Sequence, residues 1–342
     1  MQAVADRRRE ANAAWFASEA ERLARLCSEM AERFGRGGRL LATGDVSDSR
    51  HVAVEFVHPV IVGKRALPAL AVSLRELSLL AGPDDMVIPF GVEIPDTPAL
   101  RIDLAPPVDD PFIRQELVET AYHVLWELVH VFIEHNERTV HDTGAASFLY
   151  PFLGERETDH EAVVEDVRRS ILMKAEEIGE LRTQTLTENG ATLEAAARAL
   201  RGAPRVLALG NGGSATDATD LVADLARAGR AAIDLSADPA ILTAIANDVG
   251  VEAIFARQVI AYGQAGDALV ALSTSGGSGN VISALREARS RGLATVAFVG
   301  YDGGQIAASQ LADHVVVVRS QHIPRIQEAQ ASAYHVLREL VA

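Results

Sequence analysis

A chain of 342 residues is long for one domain and suits two of ordinary size. It carries 47 acidic residues against 32 Lys and Arg, a formal charge of −15, which argues against nucleic acid or an anionic membrane as the main partner. A small anion is not excluded, because backbone amides bind phosphate without net positive charge. The single cysteine, Cys27, rules out an intramolecular disulfide framework and reads as a buried structural thiol. Met1 to Asn12 is polar and basic rather than signal-like, and no run approaches the roughly twenty apolar residues that span a bilayer. The expectation is a soluble cytoplasmic protein.

Residues 10–35 predict an amphipathic helix, with Phe16, Leu23, Leu26, Met30 and Phe34 at three- and four-residue spacing. Strands are expected at Arg39 to Thr43, Leu67 to Ser73, Met86 to Phe90 and Leu100 to Leu104, and a strong helix from Phe112 to His135. Residues 136–158 lose periodicity and read as a linker carrying an apolar knot, Phe148 to Leu153. Helices follow at about 160–188 and 191–202. Strands are then expected at 205–209, 231–235, 268–272, 294–299 and 314–318, alternating with helical stretches, with a last helix at 323–341. Apolar strands alternating with helices predict a parallel sheet covered on both faces.

The two halves resemble each other. Ala121 to Val129 and Ala333 to Val341 differ only at Trp126 against Arg338. Gln115-Glu116 and Gln327-Glu328 lie equally far ahead of them, and Gly38 to Gly44 parallels Pro204 to Gly210. Three ordered segments in parallel read as an internal duplication. The expected domains are 1–136, a linker 137–158, and 159–342. The second copy holds two glycine- and serine-rich loops, each after a strand and before a helix: Gly210-Asn211-Gly212-Gly213-Ser214 and Ser273-Thr274-Ser275-Gly276-Gly277-Ser278. Such loops hold an anion, phosphate foremost, at helix N-termini. The first copy lacks them and reaches its final helix sooner, as if a strand–helix unit were lost.

With these loops, Asn247-Asp248-Val249-Gly250, Ser278-Gly279-Asn280, Gly300 to Gly304, Arg325-Ile326-Gln327-Glu328 and His335, the second copy resembles the sugar isomerase (SIS) domain, in its phosphoheptose isomerase branch. The resemblance is dense over 160–342 and patchier over 10–135. It implies α/β architecture: two tandem flavodoxin-like three-layer α/β/α domains with parallel sheets, the N-terminal one shortened. The members associate through long helices, so a homo-oligomer and an intrachain pseudo-dimer are expected. The implied reaction interconverts sedoheptulose 7-phosphate and a mannoheptose 7-phosphate. The implied cofactor is a divalent metal, typically zinc, held by a His and a Glu one helical turn apart with a Gln and a His of the last helix. The Glu and that last His also move protons.

Carried onto this chain, the implied phosphate and substrate contacts are Asn211, Gly212, Gly213, Ser214, Asp248, Ser273, Thr274, Ser275 and Ser278. In the second copy the metal positions are Asp220 and Asp224 in place of His and Glu, with Gln327 and His335 kept, and Pro324 replaces an acidic residue often found there. In the first copy His51, Glu55, Gln115 and His123 keep the whole set. The implied catalytic groups are therefore Asp224, His335 and Gln327, with Glu55 and His123 from the first copy.

An isomerase needs a base, a proton shuttle between oxygens and a grip on the remote phosphate. Asp217, Asp220 and Asp224 form one acidic stripe, which as a bland alternative is a solvated helix face. His51 and Glu55 share a helix face at i and i+4 and can chelate one ion. As a strand, the same residues would stand about 13 Å apart, too far for one ion; alignment with the second copy favours the helix. His58 is either a further ligand or a helix-end residue. Beside the isomerase stand two other expectations: a phosphosugar sensor or adaptor without turnover, and a structural partner holding metal in its first copy.

Overall fold

The computed structural model describes residues 1–59, 64–136 and 159–341. The expected linker, with Phe148 to Leu153, lies outside the described residues. The chain divides into an N-terminal unit, Arg7–Glu180, and a C-terminal unit formed by Met1–Asp6 with Leu181 onward. The division falls inside a helix and not at residue 159 as expected. The helix α5 (His160–Glu188) spans it without a break. Its first half buries Val163, Val164, Val167 and Ile171 in the N-terminal core, while Leu186 belongs to the C-terminal core. The helix α1 (Gln2–Gly35), longer than its periodicity suggests, also crosses: Ala5 packs with the C-terminal core and Phe16 to Phe34 with the N-terminal one.

The C-terminal unit is a five-stranded parallel sheet of order β6-β5-β7-β8-β9. Its strands are β5 (Val206–Leu209), β6 (Ala232–Asp234), β7 (Ala268–Ser273), β8 (Ala294–Gly300) and β9 (His314–Val318). Side chains alternate between two buried faces. Val206, Ala208, Val270, Leu272 and Phe298 meet α6 (Gly190–Gly202), α7 (Gly213–Arg227) and α12 (Ile323–Val341) in one core. Leu207, Leu209, Leu269, Ala271 and Val299 face the other core, with α9 (Ala256–Tyr262), α10 (Gly279–Ser290) and α11 (Gly304–Ala308). Burial on both faces explains why these strands read as unbroken apolar runs. The remaining helix, α8 (Pro239–Asp248), follows β6.

Among the described residues the N-terminal unit has four parallel strands of order β2-β1-β3-β4. They are β1 (Leu40–Gly44), β2 (Ala69–Ala71), β3 (Met86–Phe90) and β4 (Leu100–Arg101). The order repeats that of the first four strands of the C-terminal sheet. β2 and β4 are shorter than expected. β4 pairs only Leu100 with Met86 and Arg101 with Val87, and Pro106 and Pro107 soon follow. One face is thick, with α1, α2 (Val46–Val57), α4 (Pro111–Asn136) and the first half of α5. The other is thin, with Leu41, Leu77, Val87 and Ala99 around the short α3 (Leu74–Leu80). Cys27 is fully buried, and burial pushes its thiol far above the ordinary value, consistent with a structural role.

Candidate active site

In the C-terminal unit the sheet order 2-1-3-4-5 puts the reversal of strand order between β5 and β7. Both glycine-rich loops leave the carboxyl ends of those two strands, where ligands of open α/β sheets bind. Gly210 is required by close approach: a Cβ there would lie 2.1 Å from the Ser214 carbonyl oxygen. Ser236 clamps the same glycine, its Oγ accepting from Gly210 N at 3.1 Å and donating to Gly210 O at 3.2 Å. Gly212 then caps α7 at φ 57°, with no side-chain bond to the helix amides.

The second loop is held by its own hydroxyls. Ser273 Oγ accepts from Gly276 N, and Ser275 Oγ from Gly277 N, both at 3.2 Å. The turn Gly300 to Gly304 supports it from behind, with Gly300 N donating to Thr274 O at 2.9 Å. A Cβ on Gly276 would meet Gly303 O at 2.3 Å, so the two turns stack backbone on backbone. Ser278 caps α10, again without a side-chain bond to the helix amides. Neither α7 nor α10 thus has a side-chain acceptor at its N-cap, which leaves first-turn amides for an anion.

A pair of asparagines joins the loops. Asn211 Nδ2 donates to Asn280 Oδ1 at 3.0 Å, and Asn280 Nδ2 returns a bond to Asn211 Oδ1 at 2.9 Å. Sequence reasoning does not single out Asn280 as a site residue; its place in Ser278-Gly279-Asn280 is the available signal. Asn280→Ala is expected to weaken inorganic phosphate binding about tenfold by calorimetry, since it leaves Asn211 unpaired at a cost of about 1–3 kcal/mol. Asp248 ends α8, exposed, and accepts from its neighbour Asn247 at 2.7 Å rather than joining this network.

The N-terminal unit has a carboxylate where the C-terminal unit has its first glycine-rich loop. Asp45 caps α2, its Oδ1 accepting from Ser47 N at 2.9 Å and Asp48 N at 3.3 Å. An acid thus sits at the helix start where the other unit has only glycine amides, and it repels a second anion.

Along α7 the acidic stripe is not a solvated face: Asp217, Asp220 and Asp224 are all buried. His335 on α12 reaches them, with Nε2 3.1 Å from Asp220 Oδ2 and 4.0 Å from Asp224 Oδ2. Tyr334 donates to the same Asp220 oxygen at 3.0 Å. Burial first, and then Asp220, pushes the Asp224 carboxyl up from 3.8 to about 6, although His335 and the ion pair with Arg227 pull the other way. Gln327 is buried on the same helix α12.

In the N-terminal unit α2 is a helix, so His51 and Glu55 do share a face, with Nε2 to Oε1 at 3.7 Å. His123 on α4 brings its Nε2 to 3.3 Å from His51 Nε2. Burial, then the facing His123 ring, holds His51 well below the ordinary imidazole value. Gln115 donates to Asp48 at 3.3 Å and to Glu119 at 3.4 Å, while its buried Oε1 has no hydrogen-bond partner. His58 is exposed and caps the end of α2, its N–H bonding Val54 O, which is the helix-end reading.

Within single units, two groups of described residues thus have the makings of a metal site, His51–Glu55–His123 and Asp220–Asp224–His335, the ligand atoms of each lying within 4.8 Å of one another. The first fits zinc by distance: a tetrahedral ion at about 2.0–2.1 Å sets its ligands about 3.3–3.4 Å apart, the separation of the two imidazoles. The second already satisfies His335 with an Asp220 hydrogen bond and is richer in oxygen, the donor of harder cations.

A model of the SIS domain matches residues 175–300. The phosphoheptose isomerase of a Nitratiruptor species is 44% identical over 149 residues, which cover 42% of this chain and 79% of that protein. The chain belongs to the phosphoheptose isomerase family. The phosphoheptose isomerase of Thermodesulfovibrio yellowstonii is 39% identical over 185 residues, 52% of this chain and 84% of that protein. The C-terminal domain of glucosamine-fructose-6-phosphate aminotransferase from Francisella tularensis superposes with a TM-score of 0.60 at 11% identity, covering 99% of this chain and 93% of its own. At that identity it shows the fold alone, and it shows it over both units. No helix among the described residues is long and apolar enough to cross a membrane.

Proposed function

We propose that this member of the phosphoheptose isomerase family is a phosphosugar aldose–ketose isomerase, with sedoheptulose 7-phosphate as its first candidate substrate. The observation that carries the reading is α7 itself. It starts at an uncapped phosphate loop tied to the second loop by Asn211 and Asn280, and it ends its buried stripe in a carboxyl that ionises at about 6. A base poised near neutral pH is what abstraction beside a carbonyl requires. Asp224 takes the proton from C1 of the ketose, the enediol forms across C1 and C2, and the proton is returned at C2. His335 moves the hydroxyl proton from O1 to O2. The loops hold the phosphate and turn its binding free energy into orientation of the distant carbons.

A divalent metal, zinc first, would be held by His51, Glu55 and His123, with the buried Oε1 of Gln115 as a fourth donor from α4. Such an ion polarises carbonyl and hydroxyl oxygens when bound. Elemental analysis of purified protein is expected to give about one zinc per chain, lost in His51→Ala; stoichiometric zinc surviving that substitution would place the ion elsewhere.

Purified protein supplied with zinc should convert sedoheptulose 7-phosphate to an aldose 7-phosphate. Absence of turnover with every C5–C7 ketose phosphate would contradict the reading. A second reading, a sensor that binds without turnover, is favoured by one observation: Asp220, where the family has a histidine, is engaged by both Tyr334 and His335. Micromolar binding with no conversion would identify it.

A further inference from the structure

A tyrosine precedes the histidine of the closing helix in both units, Tyr122 before His123 and Tyr334 before His335. Both are fully buried, at 1% and 0% exposure, so each hydroxyl must find a partner or cost stability. Each finds the residue at the same place on the facing helix. Tyr122 Oη lies 3.1 Å from His51 Nδ1, and Tyr334 Oη lies 3.0 Å from Asp220 Oδ2. Tyr122 has a second neighbour, Asp48 Oδ1, at 3.5 Å.

The direction of these bonds follows from what each group can do. Asp48 Oδ1 stands where it can accept the O–H of Tyr122. The tyrosine oxygen is then left as an acceptor, and the only proton His51 can offer it is on Nδ1. A histidine that offers one nitrogen to a metal keeps its single N–H on the other, so Nδ1–H leaves the lone pair on Nε2. That lone pair faces His123 Nε2 at 3.3 Å and Glu55 Oε1 at 3.7 Å.

We propose that Tyr122 is a positioning residue: relaying from Asp48, it fixes His51 as the Nδ1–H tautomer and aims its Nε2 lone pair at the point where Glu55 and His123 converge on a divalent metal. Metal-binding histidines depend on such an outer hydrogen bond for ring orientation and basicity. Tyr334 is the counterpart in the other unit. There the facing residue is a carboxylate with no tautomer to set, and the hydroxyl shares Asp220 Oδ2 with His335 instead. The inference rests on the metal reading of His51, Glu55 and His123, and its test separates the two.

Tyr122→Phe keeps the ring and removes the hydroxyl. In metal-free protein carrying ¹⁵N-histidine, long-range ¹⁵N–¹H correlation spectra, with His51→Gln to assign the signal, should show His51 as Nδ1–H in the wild type. Tyr122→Phe should move it toward Nε2–H, and Asp48→Asn, which takes away the acceptor-only partner, should do so independently. Titration with Co²⁺, read by its visible d–d bands, should give one site that is lost in His51→Gln and weakened about 10–100-fold in Tyr122→Phe. A wild-type His51 protonated on Nε2, or an unchanged tautomer in both folded variants, would overturn the proposal. Unchanged cobalt affinity in folded Tyr122→Phe would overturn its metal-binding consequence. Failure of the wild type to bind cobalt, with the tautomer still switching, would remove the metal reading and leave the tyrosine's hold on His51 standing.

Discussion

Asp224→Asn is expected to lower kcat on sedoheptulose 7-phosphate about a thousandfold, within the 10²–10⁴ range that a positioned base supplies. The side chain is buried on α7 beside Asp220 and His335, and asparagine matches its shape. The loss should appear in kcat rather than KM, because the phosphate loops are untouched. The wild-type pH profile carries the same signature. The Asp224 carboxyl ionises at about 6 rather than 3.8, so kcat should fall about tenfold per pH unit below about 6 as the base is protonated. Stability runs the opposite way. The folded chain binds this proton more tightly than the unfolded chain, so this group's contribution to stability falls as pH rises from about 3.8 to about 6. In denaturant titrations across that window, the stability of the wild type relative to Asp224→Asn should fall as pH rises.

Gly210→Ala is expected to cost about 1–3 kcal/mol of stability or loop geometry, the range for forcing a methyl into a filled space. The added carbon would lie 2.1 Å from Ser214 O and 2.4 Å from Ser214 C. Both are backbone atoms of the first turn of α7, so no rotamer change relieves the clash. The turn must move, and with it the amides and the Ser236 clamp. KM for the sugar phosphate should rise about 10–100-fold and the melting temperature should drop. Gly202→Ala is the control: a Cβ there meets nothing within 4 Å, and it should change neither.

The sheet strands were legible because their side chains are buried on both faces, which leaves unbroken apolar runs such as Val206–Leu209 and Ala268–Ser273. The last helix was legible for its duplicated motif, and it spans 323–341 as expected. The shift of the unit boundary into α5 was not legible, because helical periodicity shows that Val163 and Leu186 are buried but not in which core. β4 fell short because an apolar stretch does not say how many of its amides find a partner strand.

At the site, glycine and serine spacing located both loops, since close backbone approach leaves a compositional mark. The Asn211–Asn280 pair left none: its partners are 69 residues apart and meet only when β5 and β7 lie side by side. Asp45 was not singled out in the sequence, and the folded helix start makes it a cap. Burial of Asp217, Asp220 and Asp224 ran against composition, because side-chain charge alone does not say which helix face packs inward.

Sedoheptulose 7-phosphate incubated with the wild-type protein and zinc in D₂O, followed by ¹H and ¹³C NMR, tests the central claim most directly. The account predicts an aldose heptose 7-phosphate appearing alongside the ketose until the two reach equilibrium, with Asp224→Asn nearly silent under the same conditions. A spectrum in which the ketose stays intact and takes up no deuterium at C1, although calorimetry shows it bound, would contradict it.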